Sequence, residues 1–191
     1  MTYTFSPNTL WFQFSEIKSL LFNFLNKDQI NNILEIGSYE GASSVFFVDN
    51  FLSHENSTLT CVDPFLSIDD NDHRNILSSK QEENFLSNIS STLFPDKVTF
   101  KKTTSNIFFK ENTKKFNFIY IDGSHVPSQV VSDLDNAIKI ISDDGIIWMD
   151  DYNGGDPPIK PAVDEYISNK NLPIEIIHQG YQIAFRKIIK E

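Results

Sequence analysis

The segment Ile33-Leu34-Glu35-Ile36-Gly37-Ser38-Tyr39-Glu40-Gly41 is a short apolar run that passes directly into two glycines separated by three residues. This pattern predicts a β-strand, a tight glycine turn and then a helix, so that backbone N–H groups and a helix N-terminus can approach a charged small ligand. A dinucleotide-binding turn has the spacing Gly-x-Gly-x-x-Gly. Here Tyr39 occupies the second glycine position and Ala42 the third, so only part of that pattern is present.

The composition favours one globular domain that acts on a small molecule. The chain has 191 residues, of which 40% are hydrophobic and 17 are phenylalanine, enough for one domain with a packed core. Its formal net charge of −10 opposes binding to nucleic acid or to an anionic membrane, because both need clustered lysine and arginine. No signal peptide or bilayer-spanning run is recognisable. We therefore expect a cytoplasmic protein without a nucleic-acid or membrane partner.

Strand-like and helix-like segments alternate along the chain. Strands are expected at 32–36, 58–62, 97–101, 116–121, 146–149, 173–178 and 181–187, and helices at 15–26, 41–51, 79–91, 105–111, 127–141 and 160–169. This alternation predicts an α/β fold with a doubly wound, Rossmann-like, mostly parallel sheet of seven strands, which ends in an antiparallel hairpin. We predict an N-terminal lead-in with a helix over residues 1–30 and a single domain over residues 31–191.

Two segments carry no specific functional signal. Residues 1–14 are rich in aromatic side chains, and packing on the sheet edge is the favoured interpretation. The alternatives are a cap over the substrate cleft or the contact of a homodimer. The polar loop 66–78, which contains Asp69, Asp70, Asp72, His73 and Arg74, is expected to help shape the substrate pocket.

Acidic residues follow nearly every predicted parallel strand. Glu35, Asp63, Asp122 and the pair Asp150-Asp151 fall at the ends of four strands. Ligands of a parallel sheet bind beyond the carboxyl ends of its strands, so these acids are expected at a binding site. Asp63 could accept hydrogen bonds from both hydroxyls of a ribose, and an Asp-Pro turn is a second explanation of the same residue.

Asp122, Asp150 and Asp151 form a candidate metal site. Three clustered carboxylates repel one another and favour a compensating cation, and oxygen ligands suit Mg²⁺ or Mn²⁺. The alternative is that one of the adjacent pair caps a loop and that no metal binds. His125 follows Asp122 by three residues and could act as a general base toward a hydroxyl; a solvated loop histidine is the alternative.

These residues together resemble the motifs of the small class I S-adenosylmethionine-dependent methyltransferases grouped as family 24. A more distant resemblance is to the cation-dependent O-methyltransferases of catechol and macrolide-sugar type. The similar segments are 33–43, 61–65, 116–125, 145–152 and 179–187. Catechol-type enzymes have Asp-Asn where this chain has Asp150-Asp151, so the sugar-type relatives are more similar.

The resemblance implies a site for S-adenosylmethionine and an accompanying divalent cation, Mg²⁺ or Mn²⁺. The implied cofactor-binding residues are Glu35, Gly37, Ser38, Tyr39, Gly41, Ser43, Asp63, Ser105 and Asp122, with Asp63 on the ribose hydroxyls and Ser105 near the adenine. The implied metal ligands are Asp122, Asp150 and Asp151. The implied catalytic residues are His125, as the general base, and Asp122; position 125 is lysine in catechol-type relatives and histidine in some sugar-type ones.

We therefore predict an S-adenosylmethionine-dependent O-methyltransferase whose acceptor is a hydroxyl of a small molecule such as a sugar. Three alternatives stay open. The first is an inactive scaffold that has kept the methyltransferase fold. The second is a nicotinamide-dependent oxidoreductase, and the third is an oxidative or hydrolytic enzyme on the same fold, since a fold does not fix a reaction.

Overall fold

A computed structural model of the protein describes residues 2–6, 12, 15–66, 78–154 and 158–189. Its α-helices are α1 (Ile17–Leu20), α2 (Ala42–Phe51), α3 (Ser78–Ser90), α4 (Ser105–Glu111), α5 (Pro127–Ile140) and α6 (Lys160–Ser168). Its strands are β1 (Asn32–Ile36), β2 (Thr58–Val62), β3 (Val98–Lys101), β4 (Phe116–Ile121), β5 (Ile141–Met149), β6 (Ile174–Gln179) and β7 (Ile183–Lys187). Short 3-10 turns cover Leu21–Asn23 and Pro95–Lys97.

The strands form one seven-stranded sheet in the order β3-β2-β1-β4-β5-β7-β6. β4 pairs in parallel with both β1 and β5, and β2 pairs in parallel with β3. β7 runs antiparallel to both β5 and β6. The predicted doubly wound, mostly parallel fold with a C-terminal antiparallel pair is confirmed. The sequence order reverses between β1 and β4, and the crevice beyond such a reversal is where open α/β sheets bind ligands.

The chain divides into two compact units. The first comprises residues 1–31 and 38–104, and it contains α1 to α3 with β2 and β3. The second comprises residues 32–37 and 105–191, and it contains β1, β4 to β7 and α4 to α6. The separate lead-in over residues 1–30 stays a prediction.

The core of the second unit is built on β4. Five of its six residues are buried, and it lies between β1 and β5, as the nearly continuous apolar run predicts for a central strand. Helix α5 buries Val130, Leu134, Ala137 and Ile138, which recur at helical spacing. Pro127 occupies its first turn, where a missing N–H costs no hydrogen bond.

The core of the first unit is strongly aromatic. The rings of Phe65, Phe85 and Phe100 contact one another, with centroids 5.0 to 5.6 Å apart. Phe47 and Phe51 of α2 are fully buried. The many phenylalanines therefore supply much of the apolar surface that this unit buries on folding.

Two elements differ in length from the prediction. The helix expected over 15–26 is a single α-turn over Ile17–Leu20 that tightens into a 3-10 turn, and the Asn26 side chain then accepts a hydrogen bond from the N–H of Asp28 at 2.9 Å. Such an Asx turn competes with a continuing helix. Strand β5 begins at Ile141 rather than 146, because the register shifts across a bulge that contains Gly145. A Cβ at Gly145 would lie 2.8 Å from the Ile141 side chain.

Some sequence predictions concern residues outside the described ranges. They are Asp69, Asp70, Asp72, His73 and Arg74 of the loop 66–78, and Trp11 and Phe14 of the lead-in. Their contribution to a substrate pocket stays a prediction. None of the helices in the described part of the chain combines the length and the apolar character needed to cross a bilayer.

Candidate active site

The glycine turn (residues 37–41) joins β1 to α2 through three residues with left-handed backbone: Gly37 at φ 86°, Tyr39 at φ 48° and Gly41 at φ 84°. A Cβ at Gly37 would lie 2.1 Å from the carbonyl oxygen of Asp122, so only glycine fits there. Gly41 is the N-cap of the ten-residue α2. The two glycines of the sequence pattern are therefore required by backbone geometry, and the turn leads directly to a helix N-terminus.

Asp63 holds the glycine turn from the end of β2. Its Oδ2 accepts hydrogen bonds from the backbone N–H groups of Ser38 and Tyr39, both at 2.9 Å. Its Oδ1 accepts from the N–H of Phe65 at 2.7 Å, which closes the Asp-Pro turn. The Asp-Pro turn, which is the second explanation of Asp63 from the sequence, is thus present in the structure. A carboxylate has about four acceptor positions, so these three bonds leave room for a ribose hydroxyl.

The other predicted cofactor residues lie on several elements. Glu35 is fully buried in β1, and Ser43 is buried in the first turn of α2. Ser105 is the first residue of α4, and its hydroxyl accepts a hydrogen bond from the Gln129 side chain at 3.3 Å. Their roles in cofactor binding stay predictions.

An acidic cluster (Asp122, His125, Asp150 and Asp151) lies at the carboxyl ends of the neighbouring strands β4 and β5. The Nε2 atom of His125 lies 3.0 Å from Oδ2 of Asp151. Among the described residues, potential metal-ligand atoms of Asp122, His125 and Asp151 all lie within 4.8 Å of one another. The parallel pairing of β4 with β5 therefore brings together acids that are separated by 28 and 29 positions in the sequence.

Asp150 has a different set of partners. Its Oδ2 accepts a hydrogen bond from the Tyr120 hydroxyl at 2.9 Å, and its Oδ1 accepts from the Gln182 side chain at 2.8 Å and from the Asp151 N–H at 2.9 Å. The sequence predicts Asp150 as a metal ligand. The side chains whose ligand atoms lie within 4.8 Å of one another are instead Asp122, His125 and Asp151. Coordination by Asp150 stays a prediction.

Negative charge is concentrated in the acidic cluster. The pKa of Asp122 is raised well above its usual value, first because its carboxyl is shielded from water and then because Asp150, Asp151 and Glu35 are close. Burial, followed by the charges of Asp122 and Asp150, likewise raises the pKa of Tyr120. A divalent cation would offset this repulsion, and the carboxylate oxygens of Asp122 and Asp151 are donors that Mg²⁺ or Mn²⁺ accepts. The residues present therefore fit a metal of this kind.

Three residues at the acidic cluster are absent from the sequence prediction. Tyr120 donates to Asp150, the exposed Tyr181 donates its hydroxyl to Oδ1 of Asp151, and the buried Gln182 joins Asp150 to the Trp148 indole, which donates at 2.8 Å. Tyr120 lies two residues before Asp122, and the strand period alone could have placed it on the same face. Tyr181 and Gln182 have no comparable signal, because their position depends on the β6–β7 turn.

The fold and the glycine turn are those of a class I, Rossmann-like methyltransferase. Residues 34–152 match the family model described as a methyltransferase domain, which is more than half of the chain. The protein belongs to this methyltransferase family. The family suspected from the sequence is thereby confirmed.

Solved structures with low sequence identity share the fold. A candidate rRNA methylase from Clostridium thermocellum has a TM-score of 0.67 and 18% identity, with 98% of this chain and 100% of that chain covered. An O-methyltransferase from Bacillus cereus, in complex with SAH, has a TM-score of 0.62 and 16% identity over 99% and 84% of the two chains. The O-methyltransferase TomG from Streptomyces achromogenes, in complex with SAM, has a TM-score of 0.65 and 13% identity over 91% and 78%. No curated protein matches this chain at a significant level.

Proposed function

We propose that this methyltransferase transfers a methyl group from S-adenosylmethionine to a hydroxyl of a small molecule such as a sugar. The observation that carries the proposal is the His125–Asp151 contact of 3.0 Å beside Asp122, because it pairs an imidazole with the carboxylate that would orient it. O-methyltransferases from Bacillus cereus and Streptomyces achromogenes share the fold and act in agreement with this acceptor class. The net charge of −10 disfavours an RNA acceptor.

The glycine turn and Asp63 would hold the cofactor. S-adenosylmethionine, when bound, supplies the methyl group that passes from its sulfonium sulfur to the acceptor oxygen. Asp63 would bind a ribose hydroxyl through the acceptor capacity that its three backbone hydrogen bonds leave. Gly37 and Gly41 allow the left-handed backbone of the turn, because a Cβ there would meet the Asp122 backbone or the Phe85 ring.

Asp122 and Asp151, with Asp150 as the third predicted ligand, would hold a divalent cation. When bound, such a cation lowers the pKa of a hydroxyl that it contacts. Tyr181 holds one oxygen of Asp151, and the other faces His125. This fixed orientation is what a ligand of a small octahedral cation needs.

His125 would remove the proton of the acceptor hydroxyl. When its Nε2–H donates to Oδ2 of Asp151, the opposite ring nitrogen, Nδ1, is the atom that accepts a proton. The imidazole is partly exposed, so an acceptor can reach it from solvent. A positioned general base of this kind contributes about 10²–10⁴-fold in rate.

The test combines His125→Ala with a matched control, His54→Ala, in the other unit. Methyl transfer from labelled S-adenosylmethionine is measured on a panel of small hydroxyl compounds, and affinity for S-adenosylhomocysteine is measured by calorimetry. We expect His125→Ala to lower turnover by about 10²–10⁴-fold with nearly unchanged affinity, and His54→Ala to change neither.

Two results would contradict the proposal. Full turnover by His125→Ala would show that His125 is not the base. Full activity of the wild-type protein in excess EDTA would exclude a cation from the reaction.

A further inference from the structure

The N-terminal segment (residues 2–6) is hydrogen-bonded to the glycine turn through Glu40. The backbone N–H of Ser6 donates to Oε2 of Glu40 at 2.7 Å, and the Ser6 hydroxyl donates to Oε1 at 2.6 Å. Asn84 of α3 donates to the same Oε1 at 3.0 Å. Glu40 is only 2% exposed, so its carboxylate depends on these protein donors.

A single buried amide adds a second connection. Asn88 of α3 is 1% exposed, and its Nδ2 donates to the backbone carbonyls of Thr4, at 2.9 Å, and of Glu40, at 2.8 Å. Its Oδ1 accepts from the N–H of Thr4 at 2.8 Å. The amide thereby pairs with Thr4 as a neighbouring β-strand would, and it holds the backbone of the glycine turn at the same time.

Burial makes the Ser6 contacts energetically important. A buried carboxylate is costly unless its oxygens accept hydrogen bonds. Ser6 supplies two of the three donors named above, so undocking the segment would leave Glu40 short of donors. The backbone of the turn would then have to move to return the carboxylate to water.

The glycine turn is consequently fixed from two sides within the first unit. Asp63 holds the N–H groups of Ser38 and Tyr39, while Ser6 and Asn88 hold the next residue, Glu40. We infer that the N-terminal segment is a working part of the cofactor site, in which Ser6 and Glu40 are positioning residues that set the affinity for S-adenosylmethionine. This inference rests on the proposed function, which assigns the turn to the cofactor.

Variants of Ser6 test the inference by calorimetry with S-adenosylhomocysteine. Ser6→Pro removes both donors to Glu40, whereas the conservative Ser6→Thr keeps both. Tyr3→Phe is the matched control, because it removes a hydrogen bond from the same segment to Asp49 of α2 and not to the turn. We expect Ser6→Pro to weaken binding about 5- to 10-fold, and the other two variants to stay within about 2-fold of wild type.

Hydrogen exchange separates positioning from simple packing. By linkage, a segment that strengthens cofactor binding must itself be stabilised by the cofactor to the same extent. Addition of S-adenosylhomocysteine to the wild-type protein should therefore slow exchange of the Ser6 amide, by about the factor that Ser6→Pro loses in affinity. A packing role alone predicts equal exchange with and without the ligand.

The two possible failures are distinguishable. If the wild-type protein binds S-adenosylhomocysteine and Ser6→Pro binds equally well, this inference is overturned and the proposed function stands. If the wild-type protein does not bind the compound, the proposed function fails, and the inference fails with it.

Discussion

Replacing Asp63 by asparagine should loosen the glycine turn before any ligand is involved. In the native protein one carboxylate accepts three backbone hydrogen bonds at 2.7–2.9 Å, from Ser38, Tyr39 and Phe65. An asparagine side chain keeps one accepting oxygen and turns a donor toward the remaining N–H. A hydrogen bond to a charged group contributes about 1.5–3 kcal/mol, so losing the Phe65 bond and the charge should lower the free energy of unfolding by about 2 kcal/mol. Asp63→Ala, which removes all three, should cost more.

Urea denaturation followed by circular dichroism measures this loss, and Asp96→Asn is the control because Asp96 is an exposed carboxylate in a 3-10 turn. We expect the control to stay within about 0.5 kcal/mol of wild type, as most exposed substitutions do. Under folding conditions, Asp63→Asn should also weaken binding of S-adenosylhomocysteine. If the free energy of unfolding of Asp63→Asn equalled that of the control, the turn would not depend on this carboxylate.

Two further changes test the second unit. Tyr120→Phe removes only the hydroxyl that donates to Asp150. On the proposal that Asp150 is the third ligand of a divalent cation, we expect Mn²⁺ affinity, measured by electron paramagnetic resonance, to fall about 10-fold or more, as is typical of residues that orient metal ligands. Unchanged affinity would refute that role of Tyr120. Lys139 and then Tyr166 hold the pKa of Asp135 well below its usual value, so the stability that Asp135 adds is complete above about pH 4 and is lost as the pH falls further. Between pH 6 and pH 3, the free energy of unfolding measured by urea denaturation should therefore fall less for Asp135→Asn than for wild type. An equal fall in both proteins would contradict this prediction.

The features that the sequence predicts well are those encoded locally. Strand β1 and the glycine turn follow from an apolar run and two glycines, and β4 is identified as a central strand because nearly all of its residues are apolar. The shared position of Asp122 and Asp151 follows from one general property of parallel sheets, that strand ends meet at one edge. Periodicity and strand-end chemistry suffice for these predictions.

The features that the sequence does not predict depend on long-range pairing. The contact of Ser6 with Glu40 joins positions 34 residues apart, and neither residue belongs to a repeating pattern. Tyr181 reaches Asp151 only because the β6–β7 turn places it there. The short α1 is an exception to this rule, since its apolar spacing fits a longer helix, and a local side-chain hydrogen bond of Asn26, which competes with a continuing helix, follows it.

The adjacent pair Asp150-Asp151 shows how the fold resolves a conflict in the sequence. Consecutive residues of a strand point to opposite faces, so both carboxylates could not reach one site if β5 continued through them. Instead β5 ends at Met149, and Asp151 adopts left-handed backbone at φ 54°, a conformation that aspartate tolerates better than most residues. Asp151 then contacts His125 and Tyr181, while Asp150 accepts hydrogen bonds from Tyr120 and Gln182. These contacts offset a backbone conformation that costs about 1–2 kcal/mol.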